Sequence, residues 1–510
     1  MTLATATWPL AHGAAAEQLI GVVGAGTMGA GIAQVAAAAG HPVRLLDARP
    51  GAAREAIGRI GSGLAALVAK GRMADSERDA LLARIVPVET LAELGPAVLV
   101  VEVIAENLQA KQALLRELEA QVGPSTILAS NTSSLSITAL ANGMAHPERL
   151  VGMHFFNPVP VMKLVEVVSG AETAGGAAAA VYDTAKAWGK TPVHAKSTPG
   201  FIVNRIARPF YAEALALLQE HASTPAELDL LARGAGFRMG PCELMDLIGH
   251  DINYSVTQSV FEANYADRRY VPSLVQKALV DGGRLGRKVG KGFYDGTPAP
   301  AADAEPDGTR PSVPLALAGD CAQARRLAAR LESAGLAFTR ESGAGWSGLR
   351  VGPVEMHVTD GRTAAQLAAE RGVARLGVLD LMLGEGALAL AYAPAVGPLE
   401  RAQVQAALRA CGWRPIALRD VPGLLVARTI AMLINEGADA VWQGVCDTRG
   451  ADLAMKLGTN YPAGPFEWLE LIGNDYTVAV LDNLFAAYRS ERYRVSPLLR
   501  QRYWKARIPA

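Results

Sequence analysis

Leu19-Ile20-Gly21-Val22-Val23-Gly24-Ala25-Gly26-Thr27-Met28-Gly29 is the stretch that decides how this chain folds. Its opening residues are a short apolar run, and the run enters a turn with glycine at 24, 26 and 29. That spacing predicts a strand, a tight turn and a helix in sequence, because glycine lets backbone approach both a ligand and its own helix closely. Working outward, residues 30–39 read as an alanine-rich helix and 42–47 as a second strand ending in Asp47. Strand, turn, helix, strand is the order of a parallel, doubly wound sheet. Residues 98–104 and 126–129 read as further buried strands, separated by an amphipathic helix over 108–121. A short helix around residues 138–140, strands over 150–153 and 161–168, and a helix over 177–188 close the region.

Beyond Pro199 the texture changes to long helical periodicities, over 202–220 and 244–265, and strands largely disappear. Residues 297–314 are rich in Pro, Ala, Gly and Asp with little periodicity, which is the texture of a linker. An internal repeat follows. Pro199-Gly200-Phe201-Ile202-Val203-Asn204-Arg205 is echoed by Pro422-Gly423-Leu424-Leu425-Val426-Ala427-Arg428. Gly240-Pro241-Cys242-Glu243 is echoed by Gly464-Pro465-Phe466-Glu467. A helical domain has been duplicated. Between the copies, alternating strand-like and helical stretches predict a small α/β domain without a glycine-rich phosphate turn.

At 510 residues the chain is too long for one core. Half the residues are apolar and the formal net charge is zero, so no electrostatic case exists for nucleic acid or an anionic membrane as partner. The first twenty residues lack a basic start followed by an apolar core, and no apolar run is long enough to span a bilayer. Cys242, Cys321, Cys411 and Cys446 are scattered, with neither metal-ligand nor disulfide spacing. Buried free thiols, no metal and a cytoplasmic setting are the expectations.

The chemistry gathers around two more features. Backbone amides of the turn Gly24-Ala25-Gly26-Thr27-Met28-Gly29 can hold a pyrophosphate at a helix N-terminus, and Asp47 can accept from ribose hydroxyls while repelling a 2′-phosphate. The reading favours NAD over NADP, with Arg44 and Arg49 as nearby counter-charges. A glycine turn that binds nothing is the alternative. His154 sits in Met153-His154-Phe155-Phe156-Asn157-Pro158, and Glu166 follows on an adjoining strand-like segment where it can face the imidazole. A carboxylate on one ring nitrogen fixes the tautomer and leaves the other free to take a proton. A core histidine with local hydrogen bonds is the bland reading. Asn131-Thr132-Ser133-Ser134 brings an amide and hydroxyls to the edge where open α/β sheets bind ligands, or is an ordinary helix cap.

Taken together, the glycine turn, Ser130 to Ser134, His154 to Pro158, Pro199 to Arg205 and Gly290-Lys291-Gly292-Phe293-Tyr294-Asp295 resemble the 3-hydroxyacyl-CoA dehydrogenases. The resemblance covers residues 19–295 and the repeated helical domain. It is nearest the long form that acts on 3-hydroxyadipyl-CoA in phenylacetate breakdown, with 3-hydroxybutyryl-CoA dehydrogenase as an alternative. It implies an α/β Rossmann-like NAD-binding domain over 1–198 and an all-α domain over 199–296. After the linker it implies a degenerate small α/β domain over 315–418 and a second all-α copy over 419–510. It makes His154 the general base and Glu166 its partner, with Ser133 and Asn204 on the substrate oxygen. Glu106, Lys111 and Asn131 would lie toward the cofactor, and Ser62 and Lys70 toward the CoA moiety; for the lysines, a solvated helix face is the competing reading. In the second copy the asparagine becomes Ala427 and no histidine run precedes it, so that copy is expected to be catalytically silent. Its expected role is to pair with the first copy inside one chain, as two subunits do in short members; a homodimer of the whole chain stays open. Other dehydrogenases built from a nucleotide-binding and a helical domain, and a dinucleotide-binding relative that has lost turnover, are the rival readings.

Overall fold

The computed structural model describes residues 17–296 and 310–508. Residues 1–16 and most of the expected linker, 297–309, lie outside the described residues. Two compact units gather the chain, and they do not follow its linear order. One comprises the residues up to Arg205 together with Gln443–Thr459; the other comprises Ile206–Trp442 and the chain from Asn460 onward.

The first unit is built on an eight-stranded sheet. Its strands are β1 (Ile20–Val23), β2 (Val43–Leu46), β3 (Ile85–Val88), β4 (Leu99–Glu102), β5 (Ile127–Ser130), β6 (Leu150–Phe155), β7 (Leu164–Ser169) and β8 (Thr191–Lys196). Their order across the sheet is β3-β2-β1-β4-β5-β6-β7-β8, parallel except where β7 meets β6 antiparallel. Ile20, Val22, Leu99, Val101, Ile127 and Ala129 are all fully buried, as expected of central strands covered on both faces. β3 and β8 are strands that periodicity did not mark. The expected strand start at residue 161 is a turn instead: the Val161 and Met162 amides both donate to the Pro158 carbonyl, and β7 begins at Leu164. Helix Thr448–Thr459, although it belongs to the second repeat in sequence, packs on β7 and β8. A Cβ on its Gly458 would lie 2.8 Å from the Leu164 side chain, so a side chain there would push the helix off the sheet.

The second unit carries a seven-stranded sheet: β9 (Leu315–Ala318), β10 (Thr339–Glu341), β11 (Gly348–Val351), β12 (Val354–Val358), β13 (Leu376–Leu379), β14 (Gly386–Tyr392) and β15 (Trp413–Ala417). The order β10-β9-β11-β12-β13-β14-β15 repeats that of the first sheet without its β3. β11 runs antiparallel to both neighbours and joins β12 as a hairpin, so no crossover helix like Leu108–Gln121 is needed. This is the physical content of its degeneracy.

The two long helical periodicities are each broken in the structure. Residues 202–220 form helices Val203–Ile206 and Arg208–Gln219, since Pro209 has no amide to continue the ladder. Residues 244–265 form the end of Pro241–Ile248 and then His250–Ala263, hinged at Gly249, whose φ of 98° suits only glycine without strain. The two helical copies meet reciprocally. Buried Glu213 of the first copy takes Arg492 at 2.7 Å and the Tyr493 hydroxyl at 3.1 Å. Buried Glu436 of the second takes Arg269 at 3.5 Å and the Tyr270 hydroxyl at 2.6 Å. The offset that carries Pro199 to Pro422 carries Glu213 to Glu436 and Arg269-Tyr270 to Arg492-Tyr493. Residue i meeting j while j meets i is the signature of a two-fold interface, here within one chain.

Candidate active site

The glycine turn leaves β1 and enters helix Thr27–Ala38. A Cβ at Gly29 would stand 1.8 Å from the Gly24 carbonyl oxygen, and one at Gly24, with φ of 109°, would stand 2.6 Å from the Val103 carbonyl. Around Gly26 nothing lies within 4 Å of the same position, so that glycine faces open space at the helix N-terminus. The turn therefore has the form of a cradle. Asp47, at the end of β2, closes its side: one carboxylate oxygen accepts the Ala25 amide at 2.6 Å and the other the Arg49 amide at 2.9 Å. Arg49 is drawn off by Glu55 at 2.5 Å and Arg44 by the Glu93 carbonyl, so both of these counter-charges have other partners. These features fit a dinucleotide with its pyrophosphate on the turn and an adenosine ribose on Asp47.

His154 on β6 and Glu166 on β7 are direct cross-strand partners. His154 Nδ1 lies 2.5 Å from Glu166 Oε2, with the imidazole 7 % exposed and the carboxylate fully buried. Glu166 Oε1 accepts the amides of Ile202 and Val203 at 3.0 Å each, so the carboxylate is held from both sides. A carboxylate only accepts, which places the hydrogen on Nδ1 and leaves Nε2 as an acceptor. The pleat sends Phe155 to the opposite face, against Trp188, while Phe156 and Phe201 flank the imidazole at ring distances of 4.5 and 5.9 Å. They keep its surroundings apolar.

Ser133 and Asn204 are brought together: the Asn204 amide donates to the Ser133 carbonyl at 3.3 Å. Glu106 ties down the turn that carries Ser133, accepting from the Thr132 hydroxyl at 2.6 Å, the Ser133 amide at 3.0 Å and the Ser134 hydroxyl at 3.0 Å. Burial pushes the Glu106 carboxyl up, but the Thr132 hydroxyl, the Lys111 ammonium and the Ser133 amide together hold it below the usual carboxylate range. Lys111 is not on a solvated face. It is 1 % exposed, with its ammonium on both oxygens of buried Glu102 at 2.8 and 2.9 Å and on the Ile104 carbonyl at 3.1 Å. Glu102 also receives the Ser130 hydroxyl. The Glu102–Ser130 pair was missed in sequence, although a carboxylate closing an apolar strand, as Asp47 also does, is a readable signal. Asn131 turns inward, its side-chain oxygen accepting the Phe155 amide at 2.8 Å, and so joins β5 to the histidine strand.

Ser62 and Lys70 lie exposed along and at the end of helix Ala52–Ala69, the Ser62 hydroxyl donating to its own helix at Gly58. On the same helix, Arg59 reaches the Ala25 carbonyl of the glycine turn at 3.0 Å. Nothing in the sequence singled out that arginine. The expectation of buried thiols holds for Cys242 and Cys411 but fails at Cys321, which is exposed and caps helix Ala322–Ser333. Among the described residues no group of three His, Cys, Asp or Glu could hold a metal, and no helix is long and apolar enough to cross a membrane.

In the second unit the pattern survives without the chemistry. Register places Asp380, next after β13, where His154 stands in the first sheet, and Ala389 where Glu166 stands. Asp380 accepts the amides of Leu425, Val426 and Ala427 at 2.7 to 3.0 Å, doing for the second helical copy what Glu166 does for the first.

A glycine cradle with an acid at the next strand end, beside a buried His–Glu pair, defines an NAD-dependent dehydrogenase acting on a CH–OH group. The chain belongs to the 3-hydroxyacyl-CoA dehydrogenase family. Residues 19–198 match its NAD-binding domain, 200–296 and again 423–509 its C-terminal domain, and 356–422 the reduced Rossmann-fold domain of 3-hydroxybutyryl-CoA dehydrogenase. The chain is 42 % identical over 488 residues to 3-hydroxyadipyl-CoA dehydrogenase of Escherichia coli K12, covering 95 % of this chain and 97 % of the relative. It is also 42 % identical over 275 residues to a probable 3-hydroxybutyryl-CoA dehydrogenase of Bacillus subtilis, covering 54 % of this chain and 96 % of the relative. The crystal structure of a 3-hydroxybutyryl-CoA dehydrogenase from Escherichia coli K12 superposes with a TM-score of 0.86 at 40 % identity, covering 96 % of this chain and 98 % of that one.

Proposed function

We propose that this enzyme oxidises (S)-3-hydroxyacyl-CoA to 3-oxoacyl-CoA, with His154 as the general base. The observation that carries the reading is the buried His154–Glu166 pair, whose second carboxylate oxygen is anchored on two amides. His154 Nε2 takes the proton of the C3 hydroxyl, and Glu166 stabilises the imidazolium that forms. The Gly24–Gly29 turn and Asp47 would hold NAD, which would supply the hydride acceptor for C3. The Ser133 hydroxyl and the Asn204 amide orient the substrate oxygen, and Glu106 keeps the Ser133 turn in place. Lys111 acts through Glu102 and Glu106 as a positioning residue. Ser62 and Lys70, exposed on one helix, are the contacts assigned to CoA. The four domains divide at the boundaries read from the sequence, and the enzyme works in the cytoplasm.

For the acyl group, a 3-hydroxyadipyl chain is the first reading, supported by the relative of that name, which this chain matches along nearly its whole length. A 3-hydroxybutyryl chain is the second, supported by the name of the superposed crystal structure. The intact set of His154, Glu166, Ser133 and Asn204 argues against a relative without turnover. NADH consumption with acetoacetyl-CoA tests the reaction, and none at all removes it. The ratio of kcat/KM for 3-hydroxyadipyl-CoA and 3-hydroxybutyryl-CoA decides the chain: a ratio above one supports the first reading and a ratio below one the second.

A further inference from the structure

The hairpin β11–β12 omits a helix, and a cavity stands beside it. In the first sheet helix Leu108–Gln121 joins β4 to β5 and packs on helix Ile137–Leu140, the Gln112 amide donating to the Ala139 carbonyl at 2.7 Å. The matching helix of the second sheet is Ala364–Arg371, which also starts from a hydroxyl cap, Thr363 in place of Ser136. Only Gly352 and Pro353 separate β11 from β12, so no crossover helix packs on it. A cavity of about 330 Å³ lies there, bounded on another side by Ile472 and Tyr476 of the second helical copy.

Register puts Arg350, Glu355 and His357 on one face of this sheet, the face that helix Ala364–Arg371 covers further along. Trp346 lies over that face and forms a wall of the cavity. Its indole stacks on the His357 ring at 4.3 Å and 11°, and a Cβ on Gly348 would lie 3.0 Å from it. Leu367, Leu381 and Ile472 add apolar wall. The charges around the cavity are unequally answered. Asp360 and Arg362 pair at 2.5 Å, and Arg362 takes Glu370 at 2.5 Å as well. Arg371 has only Glu355, at 3.9 Å, and Glu355 already accepts from His357 at 2.9 Å and pairs with Arg350 at 3.0 Å. Within the described residues the Arg371 guanidinium makes no hydrogen bond, so its donors are available at the cavity.

The turn after β9 argues against a dinucleotide. Gly319-Asp320-Cys321 stands where the first sheet has Gly24-Ala25-Gly26, and Ser342 stands where it has Asp47. A carboxylate and a thiol occupy the place of a pyrophosphate cradle, and the ribose acid is gone. We propose that the cavity binds a planar aromatic carboxylate, its ring against the Trp346 indole, Leu367 and Leu381 and its carboxylate on Arg371. An indole wall suits a stacked ring, and a guanidinium fork matches a carboxylate. Binding here does not rest on the reaction proposed above.

Calorimetric titration of the full chain with 2-naphthoate tests it, with 2-naphthamide, adipate and inorganic phosphate as controls. Naphthoate is expected to bind. Naphthamide, which keeps the ring and loses the charge, should bind about ten- to a hundredfold more weakly, the worth of a charged hydrogen bond. Adipate and phosphate lack the ring and should bind more weakly too. Arg371→Gln should match the loss seen with naphthamide, and Trp346→Leu should weaken naphthoate by about two- to tenfold. Ala322→Phe, which fills the cavity from an exposed position and keeps both residues, should also weaken it. Cys321 reports the place, because it is exposed in the cavity wall while Cys242 and Cys411 are buried and Cys446 half-buried. Naphthoate should slow alkylation of Cys321 by iodoacetamide, read by peptide mass, and leave Cys446 unaffected. No binding, naphthamide or adipate binding as tightly, affinity unchanged in both Arg371→Gln and Trp346→Leu, or bound naphthoate that leaves Cys321 alkylation untouched overturns the proposal.

Discussion

At the scale of single residues, the site depends on what each carboxylate is asked to hold. Glu166 has two tasks, the imidazole and the start of the next helix, so its removal should damage folding as well as turnover. His154 has one, and is the cleaner probe. His154→Gln should lower turnover by about two to four powers of ten while leaving NAD affinity intact, since the base is separate from the cradle; fluorescence titration with NADH beside steady-state rates checks both. Near-normal turnover would take His154 out of the mechanism. Asp47 is the second probe. With Arg49 engaged by Glu55 and Asp47 set against the Ala25 amide of the turn, the wild type should prefer NAD over NADP. Asp47→Ser should narrow that preference in kcat/KM by losing both ribose hydrogen bonds and repulsion of a 2′-phosphate. Equal use of NADP by the wild type would contradict this account.

At the scale of elements, the comparison of the two sheets shows what a strand end must do even without catalysis. A helix that starts against a sheet leaves amides to be satisfied, and a carboxylate from the sheet does it in both copies. In the second copy Asp380 is that carboxylate, fully buried, and burial pushes it up to about 6 against the amides that pull it down. A carboxyl raised above its unfolded value contributes stability that is full below about pH 4 and lost as pH rises through about 6. The loss is about 3 kcal/mol. Denaturant titrations of wild type and Asp380→Asn should therefore converge as pH rises over that window, if the wild type starts the more stable at pH 4. A difference that does not change with pH would mean the group does not titrate there. Ala427→Asn restores the first copy's asparagine at the matching position but not His154 or the cradle, and activity should not change.

For the whole molecule, the reciprocal ion pairs are the test of the duplication. Burial pushes Glu213 up, but Arg492 and Arg428 hold it below the usual carboxylate range. Removing one partner of a buried network leaves charges uncompensated. Glu213→Gln should cost about 3–5 kcal/mol in denaturant titration, where breaking the exposed Arg49–Glu55 pair should cost far less. A cost for Glu213→Gln no larger than for the exposed pair would mean the network is not holding the copies together. A chain ended in the linker near Pro306 loses helix Thr448–Thr459 from β7 and β8 and the partner of its helical copy. Such a fragment should dimerise or aggregate in sedimentation, because apolar faces of that size seek cover. A monomeric, fully active fragment would assign the second half another role.

Local patterns by themselves determined much of this protein. The glycine turn, the period of the strands and the echo of Pro199-Gly200 at Pro422-Gly423 set the α/β domain, the helical domain and its duplication, because each is a short-range property of consecutive residues. Pro209 and Gly249 were equally legible as helix breaks; the longer periodicity masked them. Tertiary structure alone decided the rest. Lys111 looks like any helix-face lysine until Glu102, from a strand, buries it. Nothing local to Asn131 says that its side-chain oxygen will take the Phe155 amide of β6. Helix Thr448–Thr459 belongs to one repeat in sequence and to the other unit in space. In each case the deciding partner is far along the chain, and burial, which sets the cost of a charge, is a property of the assembled neighbours and not of the residue.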